Sequence, residues 1–150
     1  MSLMIRSRRC NRSNITLNSK KLEGVVAKVE RFEDLIAWQK ARKLTGRIYK
    51  TTSQGNFARD FNLKDQIRRA AVSIMSNVAE GFERNSAADF HRFLVMAKGS
   101  CAELRNQLYI SLDVAHIPTE EFDSLMADAV EVGRIIGGLR PSVQRRRTTP

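Results

Sequence analysis

Apolar side chains recur along most of this chain at alternating intervals of three and four residues. Because residues three and four apart share one face of an α-helix, this spacing predicts amphipathic helices that each bury one stripe. The two longest series are Leu63, Ile67, Ala70, Ile74, Asn77 and Gly81, and then Phe90, Leu94, Ala97, Cys101, Leu104, Leu108 and Ser111. Similar series precede and follow them, at Ala37, Trp38, Ala41, Leu44 and Ile48, and at Phe122, Leu125, Met126, Ala129, Val132, Gly133 and Ile136.

Helix-starting residues divide this pattern into four segments. The predicted helices span roughly 33–52, 60–83, 86–115 and 119–138. The acidic pair Glu33 and Asp34 suits the positive end of a helix dipole, so we expect the first helix to begin there. Ser86, with Asp89 three residues later, has the form of a helix N-cap, so we expect the third helix to begin at this serine.

The ends of the segments and the short connections between them predict the fold class. We expect the last helix to end at Gly137 and Gly138, with Pro141 preventing its continuation. No stretch of comparable length alternates with period two, so we predict no sheet. Short connections between consecutive helices favour an all-α, antiparallel up-down-up-down four-helix bundle.

The net charge of +10 is concentrated in the two ends of the chain. Between them the charges almost balance, but 25–69 has 11 basic and 5 acidic residues, whereas 70–138 has 5 basic and 10 acidic residues. We divide the chain into a flexible basic arm (1–30), the bundle (31–139) and a basic tail (140–150). The acid-poor leader also suits an organellar transit peptide, or a start codon assigned too far upstream.

The composition and motifs exclude several classes of protein. No apolar run reaches the roughly 18 residues of a membrane span, so we predict a cytoplasmic protein with no membrane partner. Cys10 and Cys101 lack the spacing of a metal site, and we expect two free thiols. Neither His91 nor His116 follows a glutamate at the di-iron spacing. Without a phosphate loop or nucleophile elbow, the chain is predicted to be no enzyme and to hold no metal or cofactor.

Basic side chains form a second stripe on the first predicted helix, largely opposite the apolar one. Such a stripe suits a phosphate-facing surface, because each Lys or Arg that contacts a phosphate releases condensed counterions. The alternative is an ordinary solvated outer face. The candidate nucleic-acid-binding residues are Lys40, Lys43, Arg47 and Lys50 of the first helix, with Lys64 and Arg68 of the second.

Polar side chains on the second and third predicted helices form another regular pattern. Gln66, Arg69, Ser73, Asn77, Glu80 and Arg84 recur at three-four spacing, and the third helix offers Ser100, Glu103 and Gln107. The favoured interpretation is a buried hydrogen-bond network that fixes helix packing. A binding site is the alternative.

The third helix is also apolar beyond its core stripe. The additional residues are Val95, Met96, Ala102 and Ile110. A helix that is hydrophobic on more than one side needs more than one neighbour. We therefore expect a subunit interface, most simply in a homo-oligomer.

Several collinear motifs resemble one bacterial family. They are Phe32-x-Asp34-Leu35-x-x-Trp38-Gln39-x-Ala41, Gln66-Ile67-x-Arg69-Ala70-Ala71-x-Ser73-Ile74, Asn77-x-Ala79-Glu80-Gly81-Phe82, Asp89-Phe90-x-x-Phe93-Leu94 and Ala97-x-Gly99-Ser100-x-x-Glu103-Leu104-x-x-Gln107-Leu108. These motifs are similar to those of the four-helix bundle proteins first noted in intervening sequences of large-subunit rRNA genes. That family is often labelled S23 ribosomal protein, and it includes the accessory variability proteins of diversity-generating retroelements.

The resemblance implies an antiparallel bundle that assembles into a ring-shaped homo-oligomer, with a pentamer expected. It also implies RNA or DNA as a ligand, and a reverse transcriptase or ribosome-associated machinery as a partner. It associates no catalytic role with the motifs. The residues expected to be structural or interfacial are Arg69, Ser73, Asn77, Glu80, Gly81, Ser100, Glu103 and Gln107.

Two hypotheses of function therefore stand at this point. The first is a non-catalytic, homo-oligomeric accessory protein that binds nucleic acid through the basic surface of the first and second helices. The second is a protein-interaction scaffold with no direct nucleic-acid role, in which the basic half of one subunit docks against the acidic half of a neighbour or partner. In the second hypothesis, the docking acids are Glu120, Glu121, Asp123 and Glu131.

Overall fold

The computed structural model describes residues 29–148, and every regular element in that range is helical. The helices are α1 (Ile36–Thr51), α2 (Phe61–Glu83), α3 (Ala87–Asp113) and α4 (Thr119–Thr148), with short 3-10 helices at Phe32–Asp34 and Phe57–Arg59. The prediction of an all-α chain with four helices and no strand is confirmed for these residues. None of the helices in this range is long and apolar enough to cross a membrane. Most of the predicted N-terminal arm, including Cys10, lies outside the described residues.

Each helix contacts two others, in a cycle that surrounds one core. α2 packs against α1 and α3, and α4 packs against α3 and α1. The predicted stripes are the residues that fill this core, and Ile67, Ile74, Leu94, Leu104 and Ile136 are fully buried there. The spacing of apolar residues therefore predicted the inner face of every helix correctly.

The starts of α2 and α3 are fixed by side-chain caps. The Oδ1 atom of Asp60 accepts a hydrogen bond from the Leu63 backbone N–H at 3.1 Å. The Oγ atom of Ser86 accepts one from the Asp89 N–H at 3.3 Å, which confirms the predicted start of α3. Each bond satisfies one of the N–H groups that a helix leaves unpaired in its first turn.

The prediction that α1 begins at the acidic pair is wrong. Glu33 and Asp34 belong to the preceding 3-10 helix, and α1 begins only at Ile36. Between them, Leu35 has an extended backbone and a buried side chain. Burying this leucine in the core requires the chain to leave the helical conformation for one residue, and tertiary packing overrides the local helix signal.

The predicted end of the last helix is also wrong, because α4 continues through Gly137, Gly138 and Pro141 to Thr148. A proline inside a helix removes one backbone hydrogen bond and crowds the carbonyl four residues earlier, which costs about 3 kcal/mol. Leu139 and Val143 are buried on either side of Pro141. Burying each of them stabilises the fold by about 1.5–3 kcal/mol, which offsets the proline. The division of the chain into arm, bundle and tail stays a prediction.

At one end of the bundle, a side-chain pair joins the α1–α2 connection to the α3–α4 connection. Nε2 of His116 lies 2.9 Å from Oδ2 of Asp60, and the imidazole stacks on the buried ring of Phe57 with centroids 5.1 Å apart. The His116 backbone N–H donates to the Ser111 carbonyl across Ala115, whose φ of 58° completes the end of α3. This geometry is a common helix ending. Asp60 therefore caps α2 and contacts the end of α3 at the same time.

The Asp60 contacts predict a pH dependence of stability. The hydrogen bond to His116, and then the one from the Leu63 N–H, hold the pKa of Asp60 below its usual value. A carboxylate with a lowered pKa in the folded state contributes stability above its unfolded pKa, and this contribution is lost as pH falls through the folded pKa. We expect Asp60→Asn, which keeps a capping oxygen, to be less stable than the wild type at neutral pH. The difference should vanish in the acid range, as measured by urea unfolding. A difference that does not change with pH would contradict this role for the charge.

Candidate nucleic-acid interface

Helix α1 carries five basic residues and no acidic one. Its apolar face points into the core through Ala37, Ala41, Leu44 and Ile48. The remaining positions therefore have to place the positive charge on the other side of the helix, towards α4 or towards solvent. In the structure, some of these bases pair with acids of α4 and the others face solvent.

Two of the six predicted binding residues pair with acids of α4. Nη1 of Arg47 lies 2.7 Å from Oδ2 of Asp128, and Nη2 donates to Ser124 Oγ at 2.9 Å and lies 3.4 Å from Glu121 Oε1. Nζ of Lys40 lies 3.2 Å from Glu131 Oε1. Within the chain, these acids neutralise the bases that face them. Lys40 and Arg47 therefore hold α1 against α4, and their charge is only partly available to a phosphate.

Two further predicted residues, both on α2, contact the end of α1 and the connection that follows it. Nε of Arg68 donates to Thr52 Oγ1 at 2.8 Å, and its guanidinium lies 4.5 Å from the centroid of the Tyr49 ring. Nζ of Lys64 donates to the Ala58 carbonyl at 2.7 Å. These bonds satisfy polar groups of the connection. Both residues bond to neutral oxygens, and neither forms an ion pair with a described acid.

Lys43 and Lys50 are the predicted residues that the structure leaves most accessible. Both are exposed on α1, and neither forms an ion pair with another described residue. Arg42 precedes Lys43 in the chain, is exposed, and has its guanidinium 5.7 Å from the centroid of the Trp38 ring. The prediction from sequence omitted Arg42, although the lack of any acid in this helix could have indicated it. Arg42, Lys43 and Lys50 are the exposed bases of α1 that form no ion pair with a described residue, and we call them together the α1 basic face.

A polar cavity of about 570 Å³ adjoins the end of this face. It is lined by the end of α1, the following turn and the α3–α4 connection: Arg47, Lys50, Thr51, Gln54, Gly55, His116, Ile117, Pro118 and Glu121. Because Glu121 stands opposite the two bases, the cavity has mixed charge. No group of three or more metal-ligating side chains occurs among the described residues. The cavity therefore extends the polar surface without forming a recognisable metal centre.

The predicted polar network between α2 and α3 is smaller than expected. Ser73 and Ser100 are bonded through their hydroxyls at 2.9 Å, and Nδ2 of Asn77 donates to the Ser73 carbonyl at 2.8 Å. The other predicted members on α2 lie at the surface: Gln66 is exposed, Arg69 pairs with Asp65 and Arg84 pairs with Glu80. The pairs on one helix surface contribute little, and Asn77 bonds to Ser73 of its own helix, so within this pattern the Ser73–Ser100 bond is what joins α2 to α3.

One member of the polar pattern is buried without a complete set of partners. Gln107 is 3% exposed, and its Oε1 atom accepts no hydrogen bond from the described residues. Its Nε2 atom lies 3.4 Å from Oε1 of Glu103, an exposed residue one turn earlier on α3. An unpaired buried amide oxygen costs about 1–3 kcal/mol of stability.

The outer side of α3 exposes an apolar surface, as the sequence predicted. Val95, Met96, Ala102 and Ile110 are all exposed, and Tyr109 adds a half-exposed ring to the same side. We call these five residues the α3 apolar face. Isolated apolar residues on a surface are ordinary, but several exposed on one side of a helix are the pattern expected of a contact site. The exposure of these residues is confirmed, and the subunit interface stays a prediction.

Comparison with known proteins places this fold among related chains. Residues 33–138 match the family model described as 23S rRNA-intervening sequence protein. The fold is similar to a crystal structure of a protein of unknown function from the S23 ribosomal protein family of Bacteroides thetaiotaomicron VPI-5482, with a TM-score of 0.64 and 25% sequence identity. That similarity covers 70% of this chain and 98% of the other. No curated protein matches the sequence.

Proposed function

The chain belongs to the 23S rRNA-intervening sequence protein family, and from this premise we propose that it is a non-catalytic, homo-oligomeric accessory protein that binds RNA. The binding surface in this proposal is the α1 basic face with Lys64 and Arg68 of α2. The observation that carries it is that α1 has five basic residues and no acidic one, and that three of them, Arg42, Lys43 and Lys50, are exposed without an ion-pair partner among the described residues.

The charge arrangement supports RNA binding over the scaffold hypothesis. In the scaffold, the acidic half of one subunit would dock on the basic half of another. Glu121 and Glu131, two of the acids expected to dock, contact Arg47 and Lys40 of their own chain. The intramolecular pairs leave these acids less able to attract a second subunit. The bases that stay unpaired face solvent, where a polyanion can replace their counterions.

RNA binding is tested by a salt titration with an RNA hairpin that carries a single-stranded overhang. We expect the affinity of the full chain to fall linearly with salt on a logarithmic scale. The double variant Lys43→Ala with Lys50→Ala should weaken binding and lower the salt slope by about 2, one for each lost phosphate contact. Lys40→Ala is the matched control on the same helix, because its ammonium already contacts Glu131.

Every variant keeps the arginines at both ends of the chain, so their contribution to RNA affinity is the same for each protein compared. The proposal would be rejected by an affinity that does not respond to salt. It would also be rejected by a double variant that binds as tightly as the wild type.

Assembly is the second part of the proposal. The α3 apolar face supports a subunit contact. A homo-oligomer is the simplest way to cover such a face. We propose a ring, with the pentamer that the sequence resemblance implies.

We also propose the antiparallel up-down-up-down course within each subunit. Lys40, early in α1, pairs with Glu131, whereas Thr51, at its end, donates to Glu121 at 3.0 Å. The partner's residue number falls as that of α1 rises, which supports an antiparallel pair. On the central helices, Ser73 contacts Ser100 and Gly81 lies against Phe93, so the number on α3 likewise falls as that on α2 rises.

The absence of catalysis is likewise proposed from the state of the reactive groups. The Cys101 thiol is buried, and this burial raises its pKa to about 11, so it stays protonated at neutral pH. The His116 imidazole is held between Asp60 and Phe57. The contacts of both side chains suit a structural role.

The proposal also includes a cytoplasmic location. Its expected partner is a reverse transcriptase or ribosome-associated machinery.

A further inference from the structure

The first residue of α2 exposes an aromatic ring that the fold does not use. Phe61 is 72% exposed, more than any other large hydrophobic residue in the described range. Its position follows directly after Asp60, the residue that caps α2, so the ring is held at a fixed helix end. A phenylalanine this exposed contributes almost nothing to folding, because its apolar surface stays in water.

Cationic and amide side chains surround this ring. The Lys64 ammonium lies 4.5 Å from the ring centroid, and its bond to the Ala58 carbonyl holds it there. Asn62 and Gln66 are exposed, and their amides make no hydrogen bond to a described side chain or backbone group. The ring and these groups line an open depression of about 470 Å³. The residues that line it are Phe61, Asn62, Lys64, Asp65, Gln66 and Arg69.

The chemistry of this depression fits a nucleotide better than a protein surface. Phe61 is its only apolar residue, whereas the centre of a protein interface contains several apolar side chains and few charges. An aromatic ring stacks on a base, amides bond to base edges, and cations contact phosphates. The geometry points to a stacking platform for an unpaired RNA nucleotide, formed by Phe61 with Lys64, Arg69, Asn62 and Gln66. This inference rests on the RNA binding proposed above and specifies the form of RNA.

Stacking requires an unpaired base. In a double helix the base faces are covered by their neighbours, and a protein contacts mainly phosphates and 2′-hydroxyls. The ring of Phe61 is therefore useful only to a nucleotide in a loop, a bulge or a free end. The Lys64 ammonium lies 4.5 Å from the centroid of the Phe61 ring and covers part of that ring. Phe61 is still largely exposed, and its exposed surface is available for stacking.

One acidic side chain in the depression, that of Asp65, would repel a phosphate, but it is already paired with Arg69. Oδ2 of Asp65 lies 2.6 Å from Nη2 of Arg69, and both side chains are well exposed. An exposed ion pair of this kind contributes at most about 1 kcal/mol, so Arg69 is free to turn towards a phosphate at small cost. Lys64 adds a positive charge that no acid in the described range neutralises. The net charge of the depression therefore favours an anion.

The platform is tested with three RNAs of equal length: a single strand, the same strand with abasic nucleotides, and its perfect duplex. Binding of the full chain is measured by fluorescence anisotropy at fixed salt. We expect the single strand to bind more tightly than the abasic strand. Phe61→Ala should weaken binding of the single strand by about 5-fold to 150-fold, the contribution of one stacked base. Phe61→Trp should restore it, and binding of the duplex should change less than twofold.

The control is Ile36→Ala, which removes another exposed apolar side chain, at the first residue of α1 and outside the depression. If RNA binds but Phe61→Ala has the affinity of the wild type, the platform is refuted while RNA binding stands. If neither strand nor duplex binds, the proposed function itself is refuted. A Phe61→Ala variant that changes the particle mass in light scattering, with unchanged RNA affinity, would assign the ring to a protein contact and overturn the inference.

Discussion

Replacing Gly81 with alanine is expected to lower the free energy of unfolding by about 1–3 kcal/mol, the usual cost of overpacking a core. A Cβ atom at this position would lie 2.5 Å from Cβ of Phe93 and 3.2 Å from the ring of Phe90. The Phe93 Cβ is attached directly to the α3 backbone, so no change of rotamer relieves the contact. The helices α2 and α3 therefore have to move apart around Gly81. The melting temperature should fall by about 3–10 °C.

Gly46 provides the matched control for this substitution. It lies inside α1, where an added Cβ meets no atom within 4 Å. Gly46→Ala should raise the free energy of unfolding by about 0.5–1 kcal/mol, because alanine has the higher helix propensity. Both variants are measured by urea unfolding followed by circular dichroism. Equal stability of the two variants would show that α2 and α3 do not depend on a glycine at their contact.

Placing two glutamates on the α3 apolar face is expected to dissociate the proposed oligomer. In Val95→Glu with Ile110→Glu, each subunit loses two apolar side chains whose burial would contribute about 1.5–3 kcal/mol each. The dissociation constant between subunits should rise by more than about 100-fold. Both positions are exposed within one chain, and glutamate has a higher helix propensity than valine or isoleucine. The single chain should therefore stay folded while the particle mass falls to that of one subunit.

The mass is measured by light scattering at several protein concentrations, and the helical content by circular dichroism. Ile36→Glu is the control, because it places the same charge on a comparably exposed apolar residue of α1. It should leave the mass unchanged. A double variant that keeps the mass of the wild-type oligomer would place the subunit contact elsewhere, and a monomeric wild type would remove the assembly from the proposal.

Local patterns predicted the inner faces of the helices because burial follows directly from spacing. Leu94 and Leu104 repeat at helical intervals, and both are fully buried. The errors occur where distant packing decides the backbone. Leu35 delays α1 because it is buried, and the burial of Val143 carries α4 past a proline that would end an isolated helix. Neither effect can be read from the neighbouring residues alone.

The candidate site was predicted in outline for the same reason. A helical projection showed that Lys43 and Arg47 leave the apolar face, but not that Asp128 stands opposite one of them. That contact joins residues 81 positions apart in the chain. Phe61 was missed because it belongs to no apolar stripe and lies at a helix boundary, where the sequence pattern changes. The exposure of Phe61 depends on the course of the connection before α2, which the sequence pattern does not define.

The contact between the first and last helices also sets an order of events during synthesis. Asp128 is made 81 residues after Arg47, a delay of roughly 4–16 s at ordinary rates of translation. Throughout that interval the ribosome-bound chain presents Lys40 and Arg47 without the acids of α4, beside the three bases that stay unpaired in the folded chain. A transcript that ends before α4 would yield a product with this positive surface permanently uncovered.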